Sequence, residues 1–216
     1  MSFSELRKNM VQNQLIKRGI KDERVLSAMG SIPREIFVSD HLRNSAYDDS
    51  PLLIGNEQTI SQPYIVAKMT ELLEVKNDHI VLEIGTGSGY QAAVLSQLAL
   101  RVFTIERITD LRKSSEANLK SMNITNVFVI NGDGTIGLSQ YAPFDRIMVT
   151  AAGPKIPKNL IDQMKDNSII VMPVGDMKEQ KLIRGVKAGG KFEIEEHDLC
   201  RFVPLLGKYG FSDVGV

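Results

Sequence analysis

The sequence predicts an α/β fold: a mostly parallel sheet covered by helices on both faces, with a helical attachment at the N-terminal end. Three observations lead there. Between residues 80 and 172, short runs that are apolar throughout alternate with helical patterns, as strands buried on both faces require. Three glycines, Gly85, Gly87 and Gly89, fall directly between the first such run and the helix after it. Beyond them, the runs 181–187 and 191–200 flank Ala188-Gly189-Gly190, which reads as a hairpin and adds antiparallel strands.

Each element has a local reason. Ser2-x-x-Glu5 is a capping box before a helix whose apolar positions are Leu6, Met10, Val11, Leu15 and Ile16, and Gly19 ends it. A second short helix follows Asp22, with Val25, Leu26 and Met29 on one side. Pro33 opens a third short turn carrying Ile36 and Phe37. Residues 44–62 read as loop, because Pro51 and Gly55 break the apolar run 52–54. A connection that long inside a compact domain is usually functional or disordered. A helix then starts at about Pro63, with Ile65, Val66, Met69, Leu72 and Leu73 at helical spacing. The alternation that follows is strand 80–84, helix 91–100, strand 101–105, helix 109–122 capped by Thr109, and strand 127–130. Strand 145–149, helix 157–164 and strand 168–172 complete it. The chain is expected to be one domain over 1–216, with a helical and loop extension at 1–62 and an α/β core with the C-terminal hairpin at 63–216.

Composition narrows the class. Lys and Arg number 26 against 26 Asp and Glu, so the formal charge is zero, with 43% hydrophobic and 24% charged residues. That describes a globular protein able to bury ~70% of its unfolded surface. The balance gives no general electrostatic reason to bind nucleic acid or an anionic membrane. The longest uncharged stretch, 84–100, holds three glycines, two serines and two glutamines, so no membrane span is expected, and MSFSELRKN has no apolar signal core. A single cysteine, Cys200, cannot form an internal disulfide, which fits a reducing compartment and a cytoplasmic location. His41, His79 and His197 are far apart with no cysteine cluster, so no metal site is expected.

The chemistry concentrates at the strand ends. Glycines between a strand and a helix let the backbone turn tightly and approach a ligand, and a parallel sheet binds ligands at the carboxyl ends of its strands. The spacing is G-x-G-x-G, whereas the dinucleotide fingerprint is G-x-G-x-x-G. The plain alternative is a glycine-rich connection that binds nothing. Glu83 lies two positions before the first glycine. Glu106 ends the second strand, where a carboxylate can accept both hydroxyls of a ribose; alternatively it is an exposed acid near a helix start. Asp133, between Gly132 and Gly134, can point into a cleft or form a local Asx-turn. Asp145 begins the fourth strand and is expected to shape its edge. So many acids around one crevice suit a nucleoside with a positive charge, S-adenosylmethionine, better than a dinucleotide with two phosphates. No G-x-x-x-x-G-K-S/T pattern occurs.

Glu83-x-Gly85-x-Gly87-x-Gly89, with Glu106 and Asp133, resembles the class I S-adenosylmethionine-dependent methyltransferases. Further stretches narrow the likeness: MVQNQLIKRGIKDERVLSAM from Met10, IPREIFV from Ile32, QTISQPYIVA from Gln58 and RFVPLLG from Arg201. These are similar to the protein-L-isoaspartate O-methyltransferases, and the likeness covers nearly the whole chain. It implies a doubly wound, Rossmann-like sheet of seven strands whose last is antiparallel, with 201–207 resembling the family's terminal strand. It implies methylation of the α-carboxylate of L-isoaspartyl residues in damaged proteins, giving S-adenosylhomocysteine and an ester that collapses to a succinimide and partly reopens to aspartate. By the resemblance, Ser61 is the active-site hydroxyl, with Thr59 and Gln62 beside cofactor and substrate. Glu83, Gly85, Gly87, Ser88 and Gly89 surround the methionine portion, Glu106 the ribose, and Asp133 with Gly134 the adenine. Val203, Pro204 and Leu205 hold the substrate backbone. The partners implied are isoaspartyl peptides and proteins, with no nucleic acid or membrane, and the likeness is compatible with a monomer. Two positions depart from the family's P-L-P-I-G-x-G-Q-T-I-S: Leu53 replaces a proline and Glu57 a glycine.

The chemistry agrees with that implication. A carboxylate with a pKa near ~4 is already an anion at neutral pH, so methyl transfer to it needs no base and rests on alignment. Without the signature around it, Ser61 would read as a turn or cap residue before the helix at Pro63. Four rival readings share parts of this pattern. A nicotinamide oxidoreductase lacks the right glycine spacing and a Tyr-x-x-x-Lys pair; a nucleic-acid methyltransferase lacks a D/N-P-P-Y/F motif; a small-molecule methyltransferase or a non-enzymatic scaffold shares the fold.

Overall fold

The computed structural model describes residues 1–212. Helix α1 (Phe3–Asn9) starts with the expected capping box: Ser2 Oγ accepts the Glu5 N–H, and the Glu5 carboxylate accepts the Ser2 N–H. It continues as a π-helical segment, Met10–Ile16. The wider i→i+5 turn brings Met10 and Leu15 to one buried face. Asp22 caps α2 (Glu23–Ser31) by accepting the N–H groups of Arg24 and Val25, and two 3₁₀ turns follow at Arg34–Phe37 and Asp40–Ser45.

The stretch expected to be loop contains an antiparallel hairpin, β1 (Leu52–Gly55) and β2 (Gln58–Ile60). Asn56 and Glu57 turn it, both at positive φ (50° and 58°), as tight hairpins need. The strands are too short, and Asn-Glu too unlike Asn-Gly, for the pattern to announce itself. Glu57 faces solvent at the tip and Leu53 is 62% exposed, so neither departure from the family pattern enters the core. Helix α3 (Pro63–Leu73) has Pro63 in its first turn, where a missing N–H costs nothing.

The core alternates as expected: β3 (Ile80–Ile84), α4 (Tyr90–Ser96), β4 (Arg101–Glu106), α5 (Thr109–Ser121), β5 (Val127–Asn131), β6 (Phe144–Val149), α6 (Lys158–Asp162) and β7 (Met164–Gly175). The hairpin β8 (Gln180–Ala188) and β9 (Lys191–Cys200) closes it. The strands form one sheet in the order β5-β4-β3-β6-β7-β8-β9. β3 to β7 run parallel, and β8 opposes β7. Because β9 in turn opposes β8, it points the same way as the parallel strands; the sixth strand, not the last, is reversed. Residues 201–207, expected as a terminal strand, are irregular and touch the sheet's end through the isolated Ala152–Pro204 bridge. Smaller differences are local. α4 stops at Ser96, Ile108 rather than Thr109 occupies the cap of α5, and α6 is short because β7 already begins at Met164.

Strand alternation divides the core by face. Val81, Val102, Met148 and Val171 join one cluster with Met10, Leu15, Met29, Phe37 and Tyr47, so the N-terminal extension is packed on the sheet's own core. Leu82, Ile84, Phe103, Ile147 and Ile170 form the cluster on the other face. Among the described residues no helix is long and apolar enough to cross a membrane.

Candidate active site

The carboxyl ends of β3, β4 and β6 and the hairpin β1–β2 surround one cleft of about 680 Å³, counting its open mouth. Its floor is backbone. Gly85 leaves β3 at φ +94°, and a Cβ there would sit closer than 3.0 Å to Thr150 Oγ1. Gly134 is buried at the end of β5, where a Cβ would run into the Ile84 side chain. Both positions therefore need glycine, and both leave a ligand free to lie flat against the chain.

Glu106 ties the rim together. It is 6% exposed; its Oε2 accepts the Gly87 N–H at 2.9 Å and its Oε1 the Ile108 N–H at 2.9 Å. One bond per oxygen leaves a lone pair on each for a ligand in the cleft. Glu83 does something else. It is fully buried beneath the glycine loop and does not line the cleft, contrary to the expectation that it surrounds a ligand. Its Oε2 accepts the Thr104 hydroxyl at 2.5 Å, and Thr104 meets the Thr86 hydroxyl at 2.7 Å, while Oε1 has no partner among the described residues. Burial pushes its pKa up to about 8, against the Thr104 hydrogen bond and with help from the Glu106 charge. A carboxyl in the interior of β3 supports the loop from below.

Asp133 is also not among the lining residues. Its Oδ1 accepts the Thr135 N–H and hydroxyl (2.8 and 2.6 Å), and its Oδ2 accepts the Lys208 N–H at 2.8 Å. Burial pushes its pKa upward, but these bonds and the Arg107 charge outweigh it and hold the carboxyl below its usual range. The Asx-turn alternative describes its bonding, with a clasp on the C-terminal segment added. Gly134, its neighbour, does line the cleft.

Two further chambers adjoin the cleft, and Thr59 and Thr150 border all three. One is walled by Ser61, Gln62 and residues 199–203. The other is walled by Ser61, Ser88, Tyr90 and Gln91. Gly89 caps α4 and lines none of them. Ser61 is half-buried between β2 and α3; Gln62, not Ser61, is the cap of α3, and no hydrogen bond from another described residue engages the Ser61 hydroxyl. The Ala152 N–H donates to the Val203 carbonyl (2.9 Å) and its carbonyl accepts the Leu205 N–H (2.7 Å), which pins Val203, Pro204 and Leu205 along the cleft. Cys200 lies in the Ser61 chamber, but burial pushes its thiol up to about 11, so it stays protonated. Among the described residues no three His, Cys, Asp or Glu side chains gather as a metal would require.

The sequence reading missed Thr150 and Arg34. Thr150 directly follows the fourth parallel strand, and its position just past an apolar run was the available signal. Arg34 carries no local signal: in PREIF it resembles any polar residue at a helix start, yet it is fully buried behind Ser61.

A family model described as protein-L-isoaspartate(D-aspartate) O-methyltransferase matches residues 5–210. The chain belongs to this family. A protein-L-isoaspartate O-methyltransferase of Methanoregula boonei is 49% identical over 210 residues, covering 97% of each chain. One from Geobacter metallireducens is also 49% identical, covering 98% of this chain and 99% of its own. A solved protein-L-isoaspartate O-methyltransferase superposes over 97% of this chain and 67% of its own, with TM-score 0.85 and 26% identity. A putative isoaspartate methyltransferase of Plasmodium falciparum, solved with S-adenosyl-L-homocysteine, shares the fold over 93% of this chain and 98% of its own, with TM-score 0.80 at 24% identity. The isoaspartate methyltransferase match spans the N-terminal extension, the hairpin, the glycine loop and the 201–207 segment alike.

Proposed function

We infer that the chain is a repair methyltransferase that moves a methyl group from S-adenosylmethionine to the α-carboxylate of L-isoaspartyl residues, leaving a methyl ester and S-adenosylhomocysteine. The observation that carries this for the site is the Glu106 carboxylate, held by two backbone amides on the wall of a glycine-floored cleft that opens onto Ser61. The residues present fit the donor. Glu106 has lone pairs left for ribose hydroxyls, and Gly134 presents bare backbone to an adenine. Gly85, Gly87 and Ser88 border the space for the methionine portion, with Thr59 and Gln62 closing the hairpin side. Glu83 and Gly89 shape the loop from behind, and Asp133 holds the segment that brings Val203, Pro204 and Leu205 to the substrate backbone.

When bound, S-adenosylmethionine supplies a methyl group on a sulfonium, a good leaving group. The chain's task is then orientation. The acceptor carboxylate is an anion at neutral pH and needs no base, so alignment alone can contribute up to ~7–11 kcal/mol. Ser61 donates a hydrogen bond from its unengaged hydroxyl to orient that carboxylate. The walls formed by β1–β2 and residues 199–206 exclude water, which strengthens attraction between unlike charges. Replacing Ser61→Ala should lower kcat strongly and leave S-adenosylhomocysteine affinity nearly unchanged; a methyl- or acyl-Ser61 adduct found by mass spectrometry would overturn the role.

We extend the reading to a single methyltransferase domain over 1–216, of which 213–216 lie outside the described residues, acting as a monomer in the cytoplasm without nucleic acid. The shared core of extension and sheet and the zero net charge support it. The deciding assay supplies labelled S-adenosylmethionine with two peptides that differ only in an isoaspartyl or aspartyl linkage. Label is expected on the first alone; equal label, or none, would refute the assignment.

A further inference from the structure

Arg34 is the largest side chain in the interior, 0% exposed, and among the described residues no carboxylate pairs with it. Glu35, its neighbour, is engaged instead by the Tyr47 hydroxyl. The guanidinium Nε donates to the Ala46 carbonyl (2.7 Å) and Nη2 to the Ser61 carbonyl (2.8 Å). Its carbon lies 4.9 Å from the centroid of the Tyr90 ring, and Nη1 has no partner among the described residues. Burial pulls its pKa down to about 10, which still leaves it charged at neutral pH. A buried cation with no carboxylate in contact is costly, so its net contribution to stability is a weak reason for its presence.

The segments it joins suggest another reason. Ala46 belongs to the extension, Ser61 precedes α3, and Tyr90 is the first residue of α4 behind the glycine loop. Tyr47, next to Ala46, accepts the Arg34 N–H on its hydroxyl and the Gln14 amide on its carbonyl, which ties the assembly back to the π-helical segment. The Ser61 carbonyl is held by Arg34, and the next carbonyl, that of Gln62, accepts the Val66 N–H of α3, so the chain is fixed on both sides of Gln62. We propose that Arg34 is a positioning residue, whose buried guanidinium fixes the peptide that presents the Ser61 hydroxyl to the acceptor. This rests on the orienting role of Ser61. The planar fork spans two carbonyls as a lysine ammonium could not.

The test is a cycle of Arg34→Met, Ser61→Ala and the double variant, with kcat and KM on an isoaspartyl peptide. S-adenosylhomocysteine affinity by calorimetry and the thermal midpoint are measured on the same proteins. Arg34→Met is expected to lose roughly ten- to a hundredfold in kcat, the size of effect that a misplaced group about an ångström away produces. Affinity for S-adenosylhomocysteine should hold, and in the Ser61→Ala background the same change should cost almost nothing more. An unchanged kcat, the same loss in both backgrounds, or kcat and affinity falling together would overturn the proposal. If Ser61→Ala alone keeps full kcat, the Ser61 reading itself has failed. A slow Ser61→Ala with an independent Arg34→Met confines the failure to Arg34. Should Arg34→Met not fold, Arg34→Lys keeps the charge without the fork, and its expected loss, smaller but again confined to the Ser61 background, carries the same comparison.

Discussion

Changing Gly85→Ala puts a methyl group where the structure has no room for one. The residue sits at φ +94°, in the left-handed region that costs an L-residue about 1–2 kcal/mol. Its new Cβ would meet Thr150 Oγ1 at less than 3.0 Å. That hydroxyl cannot easily retreat, because it lies 2.6 Å from the Gly85 carbonyl and 3.0 Å from that of Ile84. Overpacking of this kind adds about 1–3 kcal/mol. Together the two effects predict about 2–5 kcal/mol of lost stability, or roughly 5–20 °C in thermal midpoint for a chain of this size. Urea and thermal unfolding would measure it. Adding Thr150→Ala removes the colliding hydroxyl, so a double-mutant cycle should return about 1–3 kcal/mol as coupling and leave the backbone strain. A Gly85→Ala protein within about 0.5 kcal/mol of the parent, or a cycle without coupling, would refute the reasoning.

Two further outcomes follow from the carboxylates. Folded Glu83 keeps its proton to about pH 8, whereas the unfolded side chain releases it near its ordinary 4.5. The folded state thus binds more protons in that window, and stability should fall as pH rises through it, by up to about 1.4 kcal/mol per unit. Glu83→Gln has no proton to lose and should flatten the slope in urea titrations at several pH values; an undiminished slope would assign it to another group. Glu106→Gln turns an amide NH₂ toward one of the two N–H groups that the carboxylate now accepts. With one charged hydrogen bond lost and one donor orphaned, S-adenosylhomocysteine should bind about 1.5–3 kcal/mol more weakly in calorimetry. An unaltered Kd would remove Glu106 from ligand recognition.

Much was legible in the sequence because it is local. The capping box at Ser2 and Glu5, the apolar strands β3 to β7 and the need for glycine at 85 are all dictated by near neighbours or by a residue's own backbone angles. The family signature likewise runs along the chain. The tertiary structure alone decided the rest. The direction of β9 depends on a second reversal that only pairing with β8 reveals. Glu83 and Asp133 carry the residue type and position of ligand contacts. Thr104 and Lys208, 21 and 75 positions away, engage their oxygens, however, and neither acid is among the residues lining the cleft. Arg34 resembles a solvated helix-start residue until three distant segments close over it. Periodicity and φ are properties of short stretches, whereas burial and the use of each lone pair are set by whatever the folded chain brings alongside.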